Sequence, residues 1–453
     1  MDGIKRAFVE FLTLPTLLIA GFLLLAFFSY LIDKAEIGWL QPLRQVLKQH
    51  VFANAKATSD LLGAIAAGII SVTSITITLL LIVVQQSAAS MTAQVFDQFL
   101  RRRTNQFYFG FFVGLALFSL ITLATVNDPF NPVLGGTMAF AFTVVALYLL
   151  VLLMYTTVNQ MRPVEIIEAI HKHILSSKKA QLKMIEQTLR TPGFQGKFSR
   201  SVNSEKHGYV AKINIEKIGA AIQNINESEV VLQVSIGTYI AYGDELAQIN
   251  TNNQAEAEEI CKAILKAIHL DRQRDVDYDA AYGIEQLEMI AWTSISTSKS
   301  NPAPGLLTIR SLRNILARWS LDKPESNSAK LPIVYTDNTI EKLMDTFETL
   351  AVVSSESMQH QNFIEVLTTV TTMFDRLPKK WQKRVEDMLL RIISALGDHV
   401  LTAELEKALS DLINKLNSAG RTDTAIAIKK ALHQLSQSVG KLNSRATRVP
   451  GGS

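Results

Sequence analysis

The chain has 453 residues, of which 48% are hydrophobic and 19% charged, and its formal net charge is +4. Its basic residues form no patch interleaved with aromatic side chains, so the composition excludes a typical nucleic-acid-binding protein. The single cysteine, Cys261, excludes an internal disulfide framework, and no Cys and His spacing fits a metal site. No nucleotide-binding loop or nucleophile motif is present, so neither a catalytic residue nor a cofactor is expected.

Four apolar segments occupy residues 14–32, 61–84, 107–126 and 136–158, and none contains Lys, Arg, Asp or Glu. Each has roughly 19–24 residues, enough for an α-helix to cross a hydrocarbon core of about 30 Å. The first is interpreted as an uncleaved span and not as a signal peptide, because it is long and lacks a small-x-small cleavage site. The sequence therefore predicts a transmembrane domain over residues 1–160.

The distribution of Lys and Arg between the loops predicts the orientation of the spans. Cations precede the first span at Lys5 and Arg6 and follow the fourth, whereas the loop between the third and fourth spans has none. The first loop also carries cations, and it is the one segment whose charge argues against this orientation. A basic triplet between the second and third spans favours cytoplasmic termini: Arg101, Arg102 and Arg103. It is interpreted as a membrane anchor to anionic lipid, with an anion-favouring ring at a pore mouth as the alternative.

The second span carries a row of polar and small side chains on one helical face. At about 100° per residue the row falls within about 80° of the wheel, and its polar members are Asp60, Ser71, Ser74, Thr78 and Gln85. Polar side chains inside a bilayer usually face protein or water, because lipid cannot satisfy them. The row predicts a pore-lining helix, and Ile82 at its edge is predicted to be an apolar gate that closes by dewetting.

Helix packing is the alternative explanation of the same row. Gly63, Ala67 and Ser71 form a small-xxx-small pattern, which lets membrane helices approach closely, and hydroxyl groups can bond back to their own helix. The residues alone leave pore lining and packing open. In the third span Gly110 and Gly114 form a further small-residue pattern, which is interpreted as a packing site.

A connecting helix is predicted within residues 161–196, and its helical pattern covers 164–189. Residues 197–253 then alternate between β-branched and polar positions with glycine turns, which predicts a small β module. Residues 234–249 are similar to half of a lipoyl- or biotinyl-type barrel. A carrier domain would present a lysine at a hairpin tip, and this stretch has none, so a structural barrel-like module is predicted.

The rest of the chain is predicted to be helical and cytoplasmic. It comprises a helical domain over 254–321, a linker over 322–332, a helical bundle over 333–442 and a disordered tail over 443–453. Amphipathic periodicity predicts helices over residues 254–268, 281–296, 306–321, 337–356, 361–375, 379–396, 402–418 and 422–439. The charged run 271–279 is interpreted as a salt-bridged helix start, capped by Asp277 or Asp279, with a divalent-cation site as the alternative.

Several of these segments resemble an uncharacterised bacterial family of predicted membrane proteins, a domain-of-unknown-function family. The resemblance lies in 64–86 followed by 99–103, in Gly208-Tyr-Val210, in 237–243 and in 274–291. Members carry an Asn-Asp-Pro turn, whereas residues 296–302 of this chain lack the Asp. The resemblance implies an architecture with four N-terminal spans and a cytoplasmic region, and it implies no activity.

The sequence thus predicts an α-helical membrane protein with four transmembrane helices, a small cytoplasmic β-barrel-like module and a helical cytoplasmic tail. Its expected function is an oligomeric ion channel of the bacterial inner membrane, lined by the second span, with the cytoplasmic part as vestibule or gate. The alternative is a non-conducting scaffold or sensor whose cytoplasmic domain binds a partner. The expected partners are the lipid bilayer, ions and further copies of the chain, with no nucleic acid and no enzymatic activity.

Overall fold

The computed structural model describes residues 12–35, 52, 54–90, 103–160, 162–223, 227–274, 278–296, 301–321, 331–393, 396 and 400–438. The chain divides into two compact units, Met1–Ile166 and Ile167–Ser453. Arg101, Arg102, Asp277, most of the predicted linker and the predicted tail lie outside the described residues.

Four long apolar helices build the first unit. They are α1 (Thr13–Ala35), α2 (Ala55–Ser90), α3 (Arg103–Ala124) and α4 (Val133–Gln160). By length and composition all four can cross a membrane, in agreement with the four predicted spans. Helix α2 has 36 residues, so it measures about 54 Å and extends beyond a hydrocarbon core of about 30 Å.

Helix α3 is the most buried of the four. In its most apolar window 56% of the residues are buried, against 28% or less in the other helices. Its two glycines face α1: a Cβ on Gly110 would lie 2.8 Å from the Cα of Pro15, and a Cβ on Gly114 would overlap the ring of Phe22. The predicted packing role of Gly110 and Gly114 is therefore confirmed, and the packing lies within one subunit.

Asp33 connects the end of α1 to the start of α4. Its carboxylate oxygens accept hydrogen bonds from the backbone N–H groups of Leu134 at 3.1 Å and Gly135 at 3.0 Å. The first N–H groups of a helix have no partner within the helix, and the helix dipole favours a negative charge there. Asp33 is only 3% exposed, so this cap is an internal contact of the unit. No local pattern relates Asp33 to residues 134–135, and the contact was not predicted.

Helix α5 (Pro163–Gln187) leads into the second unit, close to the predicted helical range 164–189. In the described part of the chain, seven strands follow it in two small sheets. They are β1 (Phe198–Asn203), β2 (Gly208–Ile213), β3 (Ser228–Leu232), β4 (Tyr239–Ile240), β5 (Glu245–Thr251), β6 (Ile268–Asp271) and β7 (Ile333–Val334). One sheet has the order β1-β5-β3-β7 and the other β4-β2-β6. All pairs are antiparallel except β3 with β7, which is parallel.

Neither sheet closes on itself, so the predicted barrel-like form of the β module is not confirmed. Helices α6 (Ile215–Gln223) and α7 (Gln254–Ala267) pack together. They place Ile218, Ile222 and Ile260 in the core that they share with the strands. These helices cover the apolar side of the sheets that closure of a barrel would otherwise bury. Helix α6 was missed, although Ile215, Ile218 and Ile222 repeat at helical spacing.

Strands β6 and β7 come from outside residues 197–253, where the β module was predicted. The backbone N–H of Val230 in β3 donates to the carbonyl of Pro332 at 3.0 Å, and Leu189, just after α5, forms a bridge with Val334. A strand can pair with any segment that forms its backbone hydrogen bonds, whatever the distance between the two along the sequence. The sheet therefore joins three distant parts of the chain.

Seven further α-helices lie in the described part of the second unit. They are α8 (Ala280–Ser296), α9 (Pro302–Leu321), α10 (Thr339–Glu356), α11 (His360–Met373), α12 (Lys379–Ile392), α13 (Ala403–Ser418) and α14 (Thr422–Ser438). Together with α7 they correspond to the eight predicted helices, with bounds that agree within a few residues. Lys178 of α5 donates from Nζ to the carbonyl of Arg318 at 2.6 Å and lies 4.8 Å from the ring centroid of Trp319. This contact fastens α5 to the end of α9.

Candidate functional site

The polar row on α2 lies on the surface of the subunit. Every predicted pore-lining residue has an exposed side chain: Asp60, Ser71, Ser74, Thr78 and Gln85. Ile82, the predicted gate, is 54% exposed. The structure therefore places all six residues on one accessible face of one helix, and that face is free for water, lipid or another chain.

The opposite face of α2 attaches the helix to its unit. Leu62, Ile65 and Ile69 are buried there, in the apolar core shared with α3 and α4. On a helical wheel these three positions lie about 140–200° from Asp60, so the buried and polar faces point in opposite directions. Helix α2 is thus amphipathic: one face is buried in the unit, and the exposed face carries the polar row within the predicted span.

The hydroxyl groups of the row differ in their hydrogen bonds. Thr78 bonds back to its own helix, from Oγ1 to the carbonyl of Ser74 at 3.0 Å. Within the described part of the chain, the hydroxyls of Ser71 and Ser74 have no hydrogen-bond partner. An unsatisfied hydroxyl in an apolar medium costs roughly 2–7 kcal/mol, depending on the reference state. The hydroxyl groups of Ser71 and Ser74 therefore need hydrogen bonds from water or from a polar group of another chain.

Apolar and small residues border the polar row on both sides. Ile70 is 44% exposed on one side and Ile75 is 61% exposed on the other. Gly63 and Gly68 flank the row in the same way, and a Cβ added to either would meet no atom within 4 Å. Borders of this kind suit close contact with neighbouring helices in a membrane, where small residues let backbones approach.

The exposure of the residues in the row limits the packing that they could provide. Ala67 and Ser71 are exposed, and Gly63 is only partly buried with open space above its Cα. These residues therefore do not pack the helices of a single subunit together. A packing role remains for contacts between subunits, where it is compatible with pore lining if different residues of α2 serve the two purposes.

Only one member of the basic triplet falls in the described chain. Arg103 begins α3 and has an exposed side chain, whereas Arg101 and Arg102 lie outside the described residues. An exposed guanidinium at the start of a span is compatible with lipid anchoring and with a charged pore mouth. The choice between these two interpretations stays a prediction.

Arg274 and Asp279 of the charged run 271–279 form an ion-pair cluster with Glu285 at the start of α8. Arg274 contacts Asp279 at 2.7 Å through Nε and Glu285 at 2.5 Å through Nη1. Asp279 accepts a hydrogen bond from the backbone N–H of Tyr282 at 3.0 Å, and Arg274 lies over the Tyr282 ring at 4.8 Å. The predicted salt-bridged helix start, capped by Asp279, is confirmed.

Burial and charge oppose each other in this cluster. Burial raises the pKa of the Asp279 carboxyl, and the hydrogen bond and charge of Arg274 act in the opposite direction. The Asp279 side chain is 4% exposed and that of Arg274 is 12% exposed. Among the described residues no group of three His, Cys, Asp or Glu side chains is placed to hold a metal ion. Asp279 and Glu285 are both engaged by Arg274. Asp275 and Asp277 lie outside the described residues, so the cation alternative for the whole run stays untested.

A cavity of about 490 Å³ lies between α8 and α10 in the second unit. Its lining combines an aromatic ring with carboxylates and aliphatic groups: Trp292, Asp345, Glu348, Thr349, Val352, Val353 and Glu356. Two arginines of α12 bind its rim, Arg384 to Asp345 at 2.7 Å and Arg391 to Glu348 at 2.5 Å. The ring of Trp292 stays 46% exposed. Sequence periodicity had indicated only an amphipathic helix here, because the cavity depends on how α8 and α10 meet.

The comparisons with known proteins agree with this architecture. The model of a family described as "Predicted membrane protein (DUF2254)" matches residues 9–367. No curated protein matches the chain, and no solved structure matches it. The matched range includes the four apolar helices, both small sheets and the first helices of the bundle, and it ends within α11.

Proposed function

For this chain, which belongs to the DUF2254 family of predicted membrane proteins, we propose an oligomeric ion channel in the bacterial inner membrane. Helix α2 lines the pore, and the second unit provides a cytoplasmic vestibule or gate. The observation that supports this most is the exposed pair of hydroxyls on Ser71 and Ser74, which lack hydrogen-bond partners among the residues that the structure describes. A hydrated axial pore satisfies them, whereas hydrocarbon does not.

The pore requires several subunits. The core between α1, α2, α3 and α4 is filled by side chains such as Leu62, Leu115 and Phe118, each 0% exposed, so we expect the pore to lie outside a single subunit. A ring of at least three copies surrounds an open axis, and each α2 then turns its polar row inward. The apolar borders at Ile70 and Ile75 contact neighbouring subunits. Both termini lie in the cytoplasm, and the protein acts in transport and not in catalysis.

Cysteine accessibility tests whether the row meets water. In a background with Cys261→Ser, Ser74→Cys in native membranes is expected to react readily with a hydrophilic thiol reagent. Thr76→Cys is the matched control, because it lies about 160° away on the wheel and is partly buried. A shielded cysteine keeps its proton and reacts slowly. The two labelling rates should therefore differ by about tenfold or more.

Equal protection of both cysteines would contradict the channel. A purified protein that remains a strict monomer in native mass spectrometry would contradict it independently. Ile75→Cys, on the apolar border, separates a wet pore from general exposure: it should label more slowly than Ser74→Cys if the border is covered by a neighbour.

A non-conducting scaffold or sensor is the second candidate, and the cavity beside Trp292 favours it. An exposed indole face attracts cations, and the carboxylates of Asp345 and Glu356 line the same space. The partner would then be a basic peptide segment of another protein. Calorimetry with an oligolysine peptide should show binding that Trp292→Ala abolishes. Equal affinity of the peptide for the wild type and for Trp292→Ala would contradict this second candidate.

A further inference from the structure

The charges on α2 stand at one end of the helix. In the sequence of Ala55–Ser90 the only ionisable side chains are Lys56 and Asp60. Both are exposed, and both lie on the wheel within about 40° of the centre of the polar row. From residue 61 to residue 90 the lining offers hydroxyl, amide and aliphatic groups, which do not distinguish the sign of an ion. Within α2, the sign preference of the pore is therefore set at its Asp60 end.

Of the two charges, Asp60 lies closer along the helix to the hydroxyl groups of the polar row. It follows Lys56 by one helical turn, about 6 Å along the axis, on the side of Ser71 and Ser74. Its short side chain holds the carboxylate near the helix, whereas a lysine on the border of the membrane extends its flexible stem and keeps its ammonium in water. Within the described residues Asp60 has no ion-pair partner. Its charge is thus available to an ion.

The basic triplet does not neutralise this end. Arg101, Arg102 and Arg103 follow the far end of α2, and Arg103 begins the next helix. Under the predicted topology the second span lies between the triplet and Asp60, and a hydrocarbon core of about 30 Å is several times a Debye length of about 8 Å at physiological salt. The triplet is therefore expected to act on the cytoplasmic mouth and Asp60 on the opposite mouth.

We propose that the channel conducts small inorganic cations and that a ring of Asp60 carboxylates, one from each subunit, selects them. This inference rests on the proposed channel function. Rings of acidic side chains concentrate cations at a pore mouth and repel anions, and a mouth lined by one sign of charge raises the local concentration of the counter-ion by about tenfold or more. The hydroxyl-lined segment beyond the ring then offers oxygen atoms to a partly dehydrated cation.

Reversal potentials of the purified full-length protein in a planar bilayer test the proposal. Under a tenfold gradient of KCl the wild-type channel should pass K⁺ in preference to Cl⁻. Asp60→Asn keeps the shape of the side chain and removes the charge, so the K⁺ to Cl⁻ permeability ratio should fall by about tenfold. Asp60→Lys should reverse the preference. Lys56→Gln is the matched control and should keep or increase the cation preference.

The outcomes separate this proposal from the proposed function. A wild-type channel that prefers Cl⁻, or an Asp60→Asn channel with an unchanged permeability ratio, would overturn the selectivity and leave the channel standing. A protein that elutes as an oligomer and conducts no ion would overturn both. Each variant is compared at equal oligomer content by size-exclusion chromatography, so that a folding defect is not taken for a loss of selectivity.

Discussion

Asp33 accepts a hydrogen bond at 3.0 Å from the backbone N–H of Gly135, which lies 102 positions later in the chain. The first span is thereby joined to the start of the fourth by a carboxylate that is almost fully buried. Around this contact the helices also approach closely, because a Cβ on Gly135 would lie 2.6 Å from a methyl group of Thr122 in α3. Three spans therefore meet at one end of the unit.

Replacement of Asp33 by Ala should destabilise the membrane unit by about 1–3 kcal/mol, because the buried N–H of Gly135 and the partly buried N–H of Leu134 lose their acceptor. Asp33→Asn retains one acceptor oxygen and should cost less. Thermal unfolding in mild detergent measures both. Lys34→Ala is the control, since Lys34 is exposed and contacts only the Tyr30 ring at 5.8 Å among the contacts described. Equal melting temperatures for Asp33→Ala and Lys34→Ala would refute the role of the cap.

Gly110→Ala should lower the thermal stability of the same unit. The added methyl group would lie 2.8 Å from the Cα of Pro15, and because a backbone atom cannot move aside cheaply, overpacking of about 1–3 kcal/mol is expected. Gly21→Ala on α1 provides the comparison, because no atom lies within 4 Å of its added Cβ. Alanine has a higher helix propensity than glycine, so Gly21→Ala should be neutral or slightly stabilising. A neutral Gly110→Ala would show that α1 and α3 are not in this close contact.

Arg274→Met should destabilise the second unit strongly, by about 3–5 kcal/mol, because it leaves the buried Asp279 carboxylate without its counter-charge. The matched control is Arg310→Met. Arg310 pairs with Glu365 at 3.0 Å but is 60% exposed, and exposed pairs contribute about 0–1 kcal/mol. Urea unfolding followed by circular dichroism gives both values. Similar losses for the two variants would contradict the buried character of the Arg274 cluster.

Acidification should weaken the second unit. Burial lowers the pKa of His171 from its ordinary value of 6.5, with Arg318 and Lys172 adding to the effect and Glu168 opposing it. The unfolded chain then takes up the proton at a higher pH than the folded chain, so the free energy of unfolding falls as the pH drops through about 6.5. Burial lowers the pKa of His360 as well, and this residue contributes to the same loss.

His171→Gln should reduce the dependence of the unfolding midpoint on pH between about 7.5 and 5. Ser311→Ala serves as its control. This change removes the contact of 2.8 Å between Ser311 Oγ and His171 Nδ1 and keeps the titrating ring, so stability should fall at every pH with the slope preserved. A pH slope that is the same in His171→Gln and in the wild type would exclude His171 as its source.

Ile82→Ser should raise the leak conductance of the proposed channel. Ile82 is exposed beside the polar row, and a ring of apolar side chains expels water from a narrow pore, whereas serine lets it wet. Ile75→Ser, on the apolar border of the row, is the control and should change conductance less. Single-channel recording distinguishes the two, and an unchanged leak in Ile82→Ser would remove Ile82 as the gate.

The helices were predictable because their signals are local. The four spans follow from unbroken apolar length, and α7 to α14 follow from amphipathic repeats of a few residues, so the sequence alone placed their bounds closely. The ion-pair cluster at Arg274 was also predictable, since Asp279 stands at the start of a helix, where carboxylates cap. The polar row lies on the exposed face of α2, and its role in lining a pore stays a prediction.

Contacts between distant segments were not predictable in the same way. The cap by Asp33, the pairing of β3 with β7 and the cavity beside Trp292 each depend on how separate elements meet, and single residues carry no mark of such partners. The barrel-like module was predicted from alternation and from the similarity of residues 234–249 to half of a barrel, and neither determines whether the strands close. Helix α6 was missed because its short apolar repeat lies between two strand patterns.

The pairing of β3 with β7 also has a consequence for the order of events during synthesis. Ser228–Leu232 leaves the ribosome about a hundred residues before Ile333 is made, which is several seconds at about 5–20 residues per second. Through that interval one edge of β3 has no strand beside it, and open edges recruit strands from other chains. A protein truncated after α9 would keep this edge permanently and should aggregate. A recombinant protein that comprises the second unit must therefore extend past Val334.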